Sequence, residues 1–314
     1  MGAAAATAGA GTHAELDLCN PATARAVARR AGLGLKRRLG QNLLVDRAVV
    51  EALVDALDPG PLDEVYEIGP GIGTLTSALS HRAARVVAVE LDEACLRALE
   101  ITQHRHPNVV AVHGDALRTT AADLGLGPGY LAAGNIPYNL TGALLQRLLE
   151  AEPPPRRAVL LVQREVAARL DAAAGDWSLS TLAVRSLAGV ERLGDVPPAA
   201  FTPVPAVHSS ILRLTPCPLL GPAERAAVLA LARRTFTMRR KTLRHGVTYA
   251  LDGDGLRAVA VLAAAGIDPG RRPGSLGLEE WRALATAVAQ EGDRRQAGSA
   301  CGRSGGSSPV RSEE

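Results

Sequence analysis

Aromatic side chains are scarce in this 314-residue chain: four Tyr, two Trp and two Phe, 3 % of the whole. Lysine is scarcer still, with Lys36 and Lys241 alone against an abundance of Arg. Four Cys (Cys19, Cys95, Cys217, Cys301) are scattered without a C-x-x-C pair. That excludes a disulfide framework and points to reduced thiols in a cytoplasmic protein. No long apolar run is present. The longest, Ala258 to Ile267, falls short of the roughly 20 residues that span a bilayer, so no membrane partner is expected. The N-terminus "MGAAAATAGAG" has no positive charge before its small residues, so it does not read as a secretion signal. Its Thr7 comes one place late for a myristoylation site. The His residues show no metal-ligand spacing beyond His104-x-His106, read as a solvated pair, so no metal is expected.

Acidic residues are missing from two particular stretches. "RAVARRAGLGLKRRLGQN" holds Arg25, Arg29, Arg30, Lys36, Arg37 and Arg38. "ARRTFTMRRKTLRH" holds Arg233, Arg234, Arg239, Arg240, Lys241 and Arg244. Both Lys of the chain lie in these runs, although the net charge is only +3. Two acid-free basic runs in a nearly neutral protein point to a polyanion, and the bland alternative is a solvated helix face.

What is present is an alternation of strands and helices. "DEVYEIG", "RVVAVEL", "NVVAVHGDA" and "GYLAAGNIP" read as buried strands, separated by segments of helical spacing. Such alternation predicts an α/β fold with a parallel sheet. After Cys217 the strand signal gives way to four helices, the second read over "MRRKTLRHGVTYAL". The expected organisation is a flexible N-terminal extension (1–30), a Rossmann-like domain (31–216), a small all-α RNA-binding domain (217–291) and a disordered tail (292–314).

"EIGPGIGTLT" follows the first of these strands and opens a helix. Gly69, Gly71 and Gly73 permit positive φ and a close approach of ligand to backbone. A dinucleotide fingerprint needs its third glycine three residues after the second; here it comes after two, with Pro70 stiffening the turn. A nucleoside without phosphates fits better than NAD. Glu90 ends the second strand and can accept both hydroxyls of a ribose, and Asp115 follows the third and can accept from an adenine amino group. The ordered set reads as an S-adenosylmethionine site.

"GNIPYN" stands at the end of the fourth strand. An exocyclic amino group on a base is a poor nucleophile, because its lone pair is delocalised into the ring. Two acceptors on its N–H groups would localise that pair toward a methyl donor. The Asn135 side-chain oxygen and the Ile136 carbonyl, presented by the Pro137 turn, supply them. Tyr138 offers a ring on which the base stacks once it leaves its own stack. Phe201, in the Pro-pinned loop "VPPAAFTPVPAVHSS", is assigned to the other face of the base. The bland alternative is a loop Phe anchored in the core.

These segments, with "RLGQNLLVD", "LVQREVAARL", "PPAAFTPVPAVHSSILRL" and "RRKTLRHGV", resemble the ribosomal RNA adenine dimethyltransferases, most closely the kasugamycin-sensitivity type that acts on small-subunit rRNA. The resemblance runs from about Leu35 to Ala289. It implies a class I methyltransferase fold with a small helical domain, and dimethylation of two adjacent adenosines in the 3′-terminal hairpin. It also adds Asn42 and Leu44 to the cofactor site with Gly69, Gly71, Glu90, Asp115 and Asn135. The expected RNA contacts are Lys36, Arg37, Arg38, Arg239, Arg240, Lys241 and Arg244. The expected partner is small-subunit rRNA in pre-ribosomal particles, met by a cytoplasmic monomer. Leu43 stands where the family has Phe, and His208 where it has Asp. A macrolide-resistance enzyme acting on large-subunit rRNA, a non-catalytic RNA-binding assembly factor and an NAD dehydrogenase are the other readings.

Overall fold

The computed structural model describes residues 15–34, 42–137, 140–173 and 175–301, with side chains to residue 295. Lys36, Arg37, Arg38 and Tyr138 lie outside the described residues. The chain forms two compact units.

The first unit holds residues up to Asn139, with Val159–Leu161 and Val196–Ser209. It opens with helix α1 (Pro21–Arg30). This corrects the expectation of a flexible stretch over 1–30. Asn20 caps the helix by accepting from Ala22 N–H and Thr23 N–H, Pro21 starts it, and Ala24, Val27 and Ala28 are buried. They pack in one cluster with Ala94, Cys95 and Ala98 of α4 (Glu93–Gln103).

The sheet of this unit comprises β2 (Glu64–Ile68), β3 (Arg85–Glu90), β4 (Val109–His113) and β5 (Leu131–Asn135) in the order β4-β3-β2-β5. The β2–β3, β3–β4 and β2–β5 pairs are all parallel. β2, β3 and β5 are almost continuously buried, as the apolar runs require of strands covered on both faces, whereas β4 is largely exposed at the sheet edge. Ile136 N–H donates to Leu161 O (3.1 Å), which sets the middle of β6 (Arg157–Gln163) beside the end of β5. Helices α2 (Arg47–Leu57) and α3 (Thr74–Ser80) complete the unit, with a two-residue antiparallel ladder of β1 (Leu43–Leu44) on β8 (Phe201–Thr202).

The second unit holds Leu140–Ala158, Val162–Asp195 and the chain from Ser210 onward. It carries α5 (Thr141–Leu149), α6 (Arg164–Asp171), α7 (Leu179–Arg185), β7 (Ala188–Val196) and its neighbour β9 (Ser209–Pro216). Four helices follow: α8 (Pro222–Phe236), α9 (Leu243–Ala250), α10 (Gly255–Ala264) and α11 (Leu278–Cys301). Their shared core includes Leu231, Leu243, Val247, Leu262 and a fully buried Trp281, stacked on Phe236 at 5.6 Å between ring centroids.

Two boundaries differ from the sequence reading. Helix α9 starts at Leu243, because Thr242 is extended (φ −70°, ψ 160°). Arg239, Arg240 and Lys241 therefore sit on a tight turn, where Arg239 N–H and Lys241 N–H donate to Phe236 O and Met238 O. Helix α11 continues through Gly292 to Cys301, ten residues into the stretch read as a disordered tail, with no Pro to stop it before then. Among the described residues no helix is long and apolar enough to cross a membrane.

Candidate active site

Four parallel strands present their C-terminal ends along one edge of the first unit. In spatial order these ends lead to Asp115, Glu90, the glycine loop and Asn135. Sequence order alone could not arrange them so. The order β4-β3-β2-β5 places the loop between Glu90 and Asn135.

The glycines divide the work. Gly69, Gly71 and Gly73 all adopt positive φ (67°, 60° and 88°). A Cβ on Gly69 would meet nothing nearer than Asn135 O at 4.0 Å, and one on Gly71 would lie 3.8 Å from Leu43 Cδ2. These two keep the backbone open to an approaching ligand. Gly73 does the reverse. A Cβ there would sit 2.4 Å from Gln103 Nε2 and 3.0 Å from both Leu99 Cδ2 and Thr102 Oγ1, so this glycine lets α3 start against α4. Gly134 is constrained as tightly, since its Cβ would fall 2.5 Å from Ile68 O.

Glu90 is held by the backbone around it. Its Oε1 accepts from Leu91 N–H and Asp92 N–H (2.9 Å each), and its Oε2 accepts from Gly71 N–H (3.2 Å). The last bond ties the carboxylate to the glycine loop. Burial raises its pKa, and the three backbone donors oppose that rise. Asp115 Oδ1 accepts from Leu117 N–H at 2.9 Å, so it also caps the turn that follows.

Asn135 Nδ2 donates to Asn42 O at 3.1 Å. With the donor end engaged, the amide turns its oxygen away from that bond. Asn42, which only the family resemblance brought into the site, is thus the residue that orients Asn135. Leu44 is buried, and Leu43, the departure from the family's Phe, is buried in the cluster that includes Ile72. His208, the other departure, is exposed. Pro137 is half-buried and Ile136 fully buried.

Phe201 differs from expectation. Its ring is only 2 % exposed, where the sequence reading placed it in an open loop against the base. Phe201 pairs with Leu44 in the β1–β8 ladder, and Val45 N–H donates to Ala200 O at 2.8 Å. An apolar ring on a short, backbone-anchored ladder is more stable buried than facing water. Arg239, Arg240, Lys241 and Arg244 are all exposed, in the second unit.

One residue escaped the sequence reading. Glu67, the fourth of the five residues of β2, is 1 % exposed. Burial raises its pKa from 4.5 to about 8, against the effect of the Thr76 hydroxyl beside it, and the Glu90 charge adds to the rise. An acid between the apolar residues Tyr66 and Ile68, two places before the glycine loop, is the signal that could have found it.

The crystal structure of 23S rRNA methyltransferase ErmE is similar to this chain, with a TM-score of 0.63 at 29 % identity over 79 % of this chain and 99 % of that one. A dimethyladenosine transferase from Plasmodium falciparum shares the fold, with a TM-score of 0.68 at 24 % identity over 79 % and 97 % of the two chains. Parallel strands, glycine loop and strand-end acids define a class I methyltransferase. The sequence model of the ribosomal RNA adenine dimethylase family matches residues 32–276. The chain belongs to that family and is an rRNA adenine dimethyltransferase. Among its relatives, ribosomal RNA small subunit methyltransferase A of Dehalococcoides mccartyi is 38 % identical over 255 residues, 80 % of this chain and 88 % of the relative. The protein of the same name from Anaeromyxobacter sp. (strain K) is 39 % identical over 277 residues, 83 % and 95 % of the two.

Proposed function

We propose that this enzyme transfers methyl groups from S-adenosylmethionine to the exocyclic amino groups of two adjacent adenosines in the 3′-terminal hairpin of small-subunit rRNA, during ribosome biogenesis. The order of Asp115, Glu90, glycine loop and Asn135 along one sheet edge carries this reading. Three strand spacings separate the first from the last, roughly 14 Å. That length suits an extended nucleoside bearing an amino-acid arm. Asp115 accepts from the adenine amino group, Glu90 holds the ribose, and the open sides of Gly69 and Gly71 admit the ligand to the backbone. Asn42 and Leu44 close the site from the β1 side. S-adenosylmethionine, when bound, supplies an electrophilic methyl group on sulfur.

The chain's own residues prepare the nucleophile. Asn135 Oδ1 and the Ile136 carbonyl accept the two N–H groups of the target adenine, and Pro137 fixes the turn that presents the carbonyl. Their pull keeps the nitrogen lone pair out of the ring and aims it along the transfer path. Tyr138 stacks on the flipped base. Phe201 acts from the core, holding β8 on β1 and so placing Leu44 and Asn42. Arg239, Arg240, Lys241 and Arg244, with Lys36, Arg37 and Arg38, bind RNA phosphates. In this reading the chain from α1 to residue 216 forms the methyltransferase domain and 217–291 the RNA-binding domain of a cytoplasmic monomer. Its substrate is small-subunit rRNA in pre-ribosomal particles.

The likeness to ErmE favours a second reading, methylation of large-subunit rRNA with the same catalytic parts. Incubation with labelled S-adenosylmethionine and separated ribosomal subunits, followed by mapping of the label, decides between them. Label on small-subunit rRNA adenines supports the proposal, and label confined to the large subunit overturns it.

A further inference from the structure

A second cluster of chemically capable side chains lies in the first unit, away from the C-terminal strand ends. Glu15, His81 and His106 each offer one ligand atom, and these atoms lie within 4.8 Å of one another. His81 follows the last residue of α3, His106 lies between α4 and β4, and Glu15 comes from the segment before α1. Both His positions are on the side of the sheet where its strands begin, opposite the edge that carries the glycine loop.

One tautomer of His106 satisfies both contacts of Ser80. Ser80 Oγ donates its one proton to Ser77 O at 2.7 Å. The 2.8 Å contact between Ser80 Oγ and His106 Nδ1 therefore has Nδ1–H as the donor. In the neutral ring Nε2 then carries a lone pair. That atom is buried with no hydrogen-bond partner, on a side chain only 9 % exposed, and faces the Glu15 carboxylate at 3.2 Å. His81 Nε2 approaches the same carboxylate at 3.4 Å. His81 Nε2–H can donate to that carboxylate, whereas a lone pair on His106 Nε2 can face it only with a proton or a metal ion between them. For metal–ligand bonds of about 2.0–2.1 Å, the edge of a tetrahedron is roughly 3.3–3.4 Å. The two N···O separations, 3.2 and 3.4 Å, lie close to that edge.

The geometry points to a binding site for a divalent transition ion of the zinc type, held by His81 Nε2, His106 Nε2 and the Glu15 carboxylate. Two imidazoles and a carboxylate suit such an ion. His81 and Glu15 are about half exposed, which leaves water to complete the coordination. Ser80 serves as the outer partner that orients His106. Asn108 Nδ2 donates to Ser80 O and Ala83 O (2.8 and 3.1 Å), which stiffens the platform on which both His stand. The ion would pin the segment before α1 to the start of the sheet. Its role is structural, and it takes no part in methyl transfer.

The full-length protein, stripped of metal by dialysis against a chelator, is titrated with zinc chloride in competition with a chromophoric zinc indicator. One ion per chain should bind, and the thermal midpoint should rise with it. Ser80→Ala keeps the three ligands and should weaken binding about 10- to 100-fold. Glu15→Gln and His81→Asn remove exposed ligands from a chain that still folds. Each should weaken binding by more than that, at least about 100-fold, and abolish the zinc-dependent rise. S-adenosylmethionine affinity should stay unchanged in all three. A wild-type chain without saturable zinc binding overturns the proposal and leaves a proton shared by the cluster. So does zinc binding that is equal in wild type, Glu15→Gln and His81→Asn, which would place the ion elsewhere.

Discussion

Replacing Glu67 by Gln tests the electrostatics beneath the glycine loop. The carboxyl is completely buried in β2, and burial lifts its pKa to about 8, from 4.5. In the unfolded chain it ionises near 4.5. Between these values the folded state holds a proton that the unfolded state has released. The favourable contribution is fully present below 4.5 and is lost as pH rises to about 8. The loss is about 1.4 kcal/mol per pH unit within the window. From pH 5.5 to 7.5 it amounts to roughly 2.7 kcal/mol, or about 5–10 °C in melting temperature for a unit of this size. Gln has nearly the same shape and does not titrate. Urea unfolding of both proteins across this range should show the stability of Glu67→Gln gaining on wild type as pH rises, with the difference levelling off above about 8. The other titrating groups are common to both chains and cancel. Parallel stability curves would refute the argument and show that Glu67 is ionised in the fold.

The remaining predictions concern the site and its partner. Asn135→Ala should leave S-adenosylmethionine binding largely intact while turnover falls about 100- to 1000-fold, measured as methyl incorporation into rRNA. Glu90→Ala should weaken S-adenosylmethionine by roughly 1.5–3 kcal/mol for each charged hydrogen bond lost, and it frees Gly71 from its anchor; calorimetry reads the change. Gly73→Ala meets Gln103 Nε2 at 2.4 Å and must hold φ near 88°, so it should destabilise the fold by about 1–3 kcal/mol in chemical unfolding. Replacing Arg240 and Lys241 together by Ala should flatten the log–log salt dependence of RNA binding by roughly 1.5 to 2 units and leave cofactor affinity alone. An unchanged slope would mean that those exposed charges do not meet phosphate.

Local patterns in the chain carry most of the architecture and half of the site. Apolar runs of strand length, each closed by a glycine or an acid, mark β2, β3 and β5, because a strand buried on both faces is mostly apolar, with Glu67 of β2 the exception. Positive-φ glycines and the acids at strand ends are equally local signals, and the structure keeps them at the ends where they were read. Helix α1 was obscured because an Ala-rich segment gains little stability until it packs, and its partner α4 lies some 70 residues away in the chain. The same holds for Phe201. A loop pinned by prolines reads as exposed, yet the β1–β8 ladder buries the ring. Strand order placed the glycine loop between Glu90 and Asn135, and a contact across 93 positions set Asn42 O against Asn135 Nδ2. Burial, with the Glu90 charge adding to it, made Glu67 a raised-pKa carboxyl. Residue type and spacing specify what a segment can form and which groups it can offer. Which groups meet, and which lose their water, depends on distant segments packing together, and only the tertiary structure decided it.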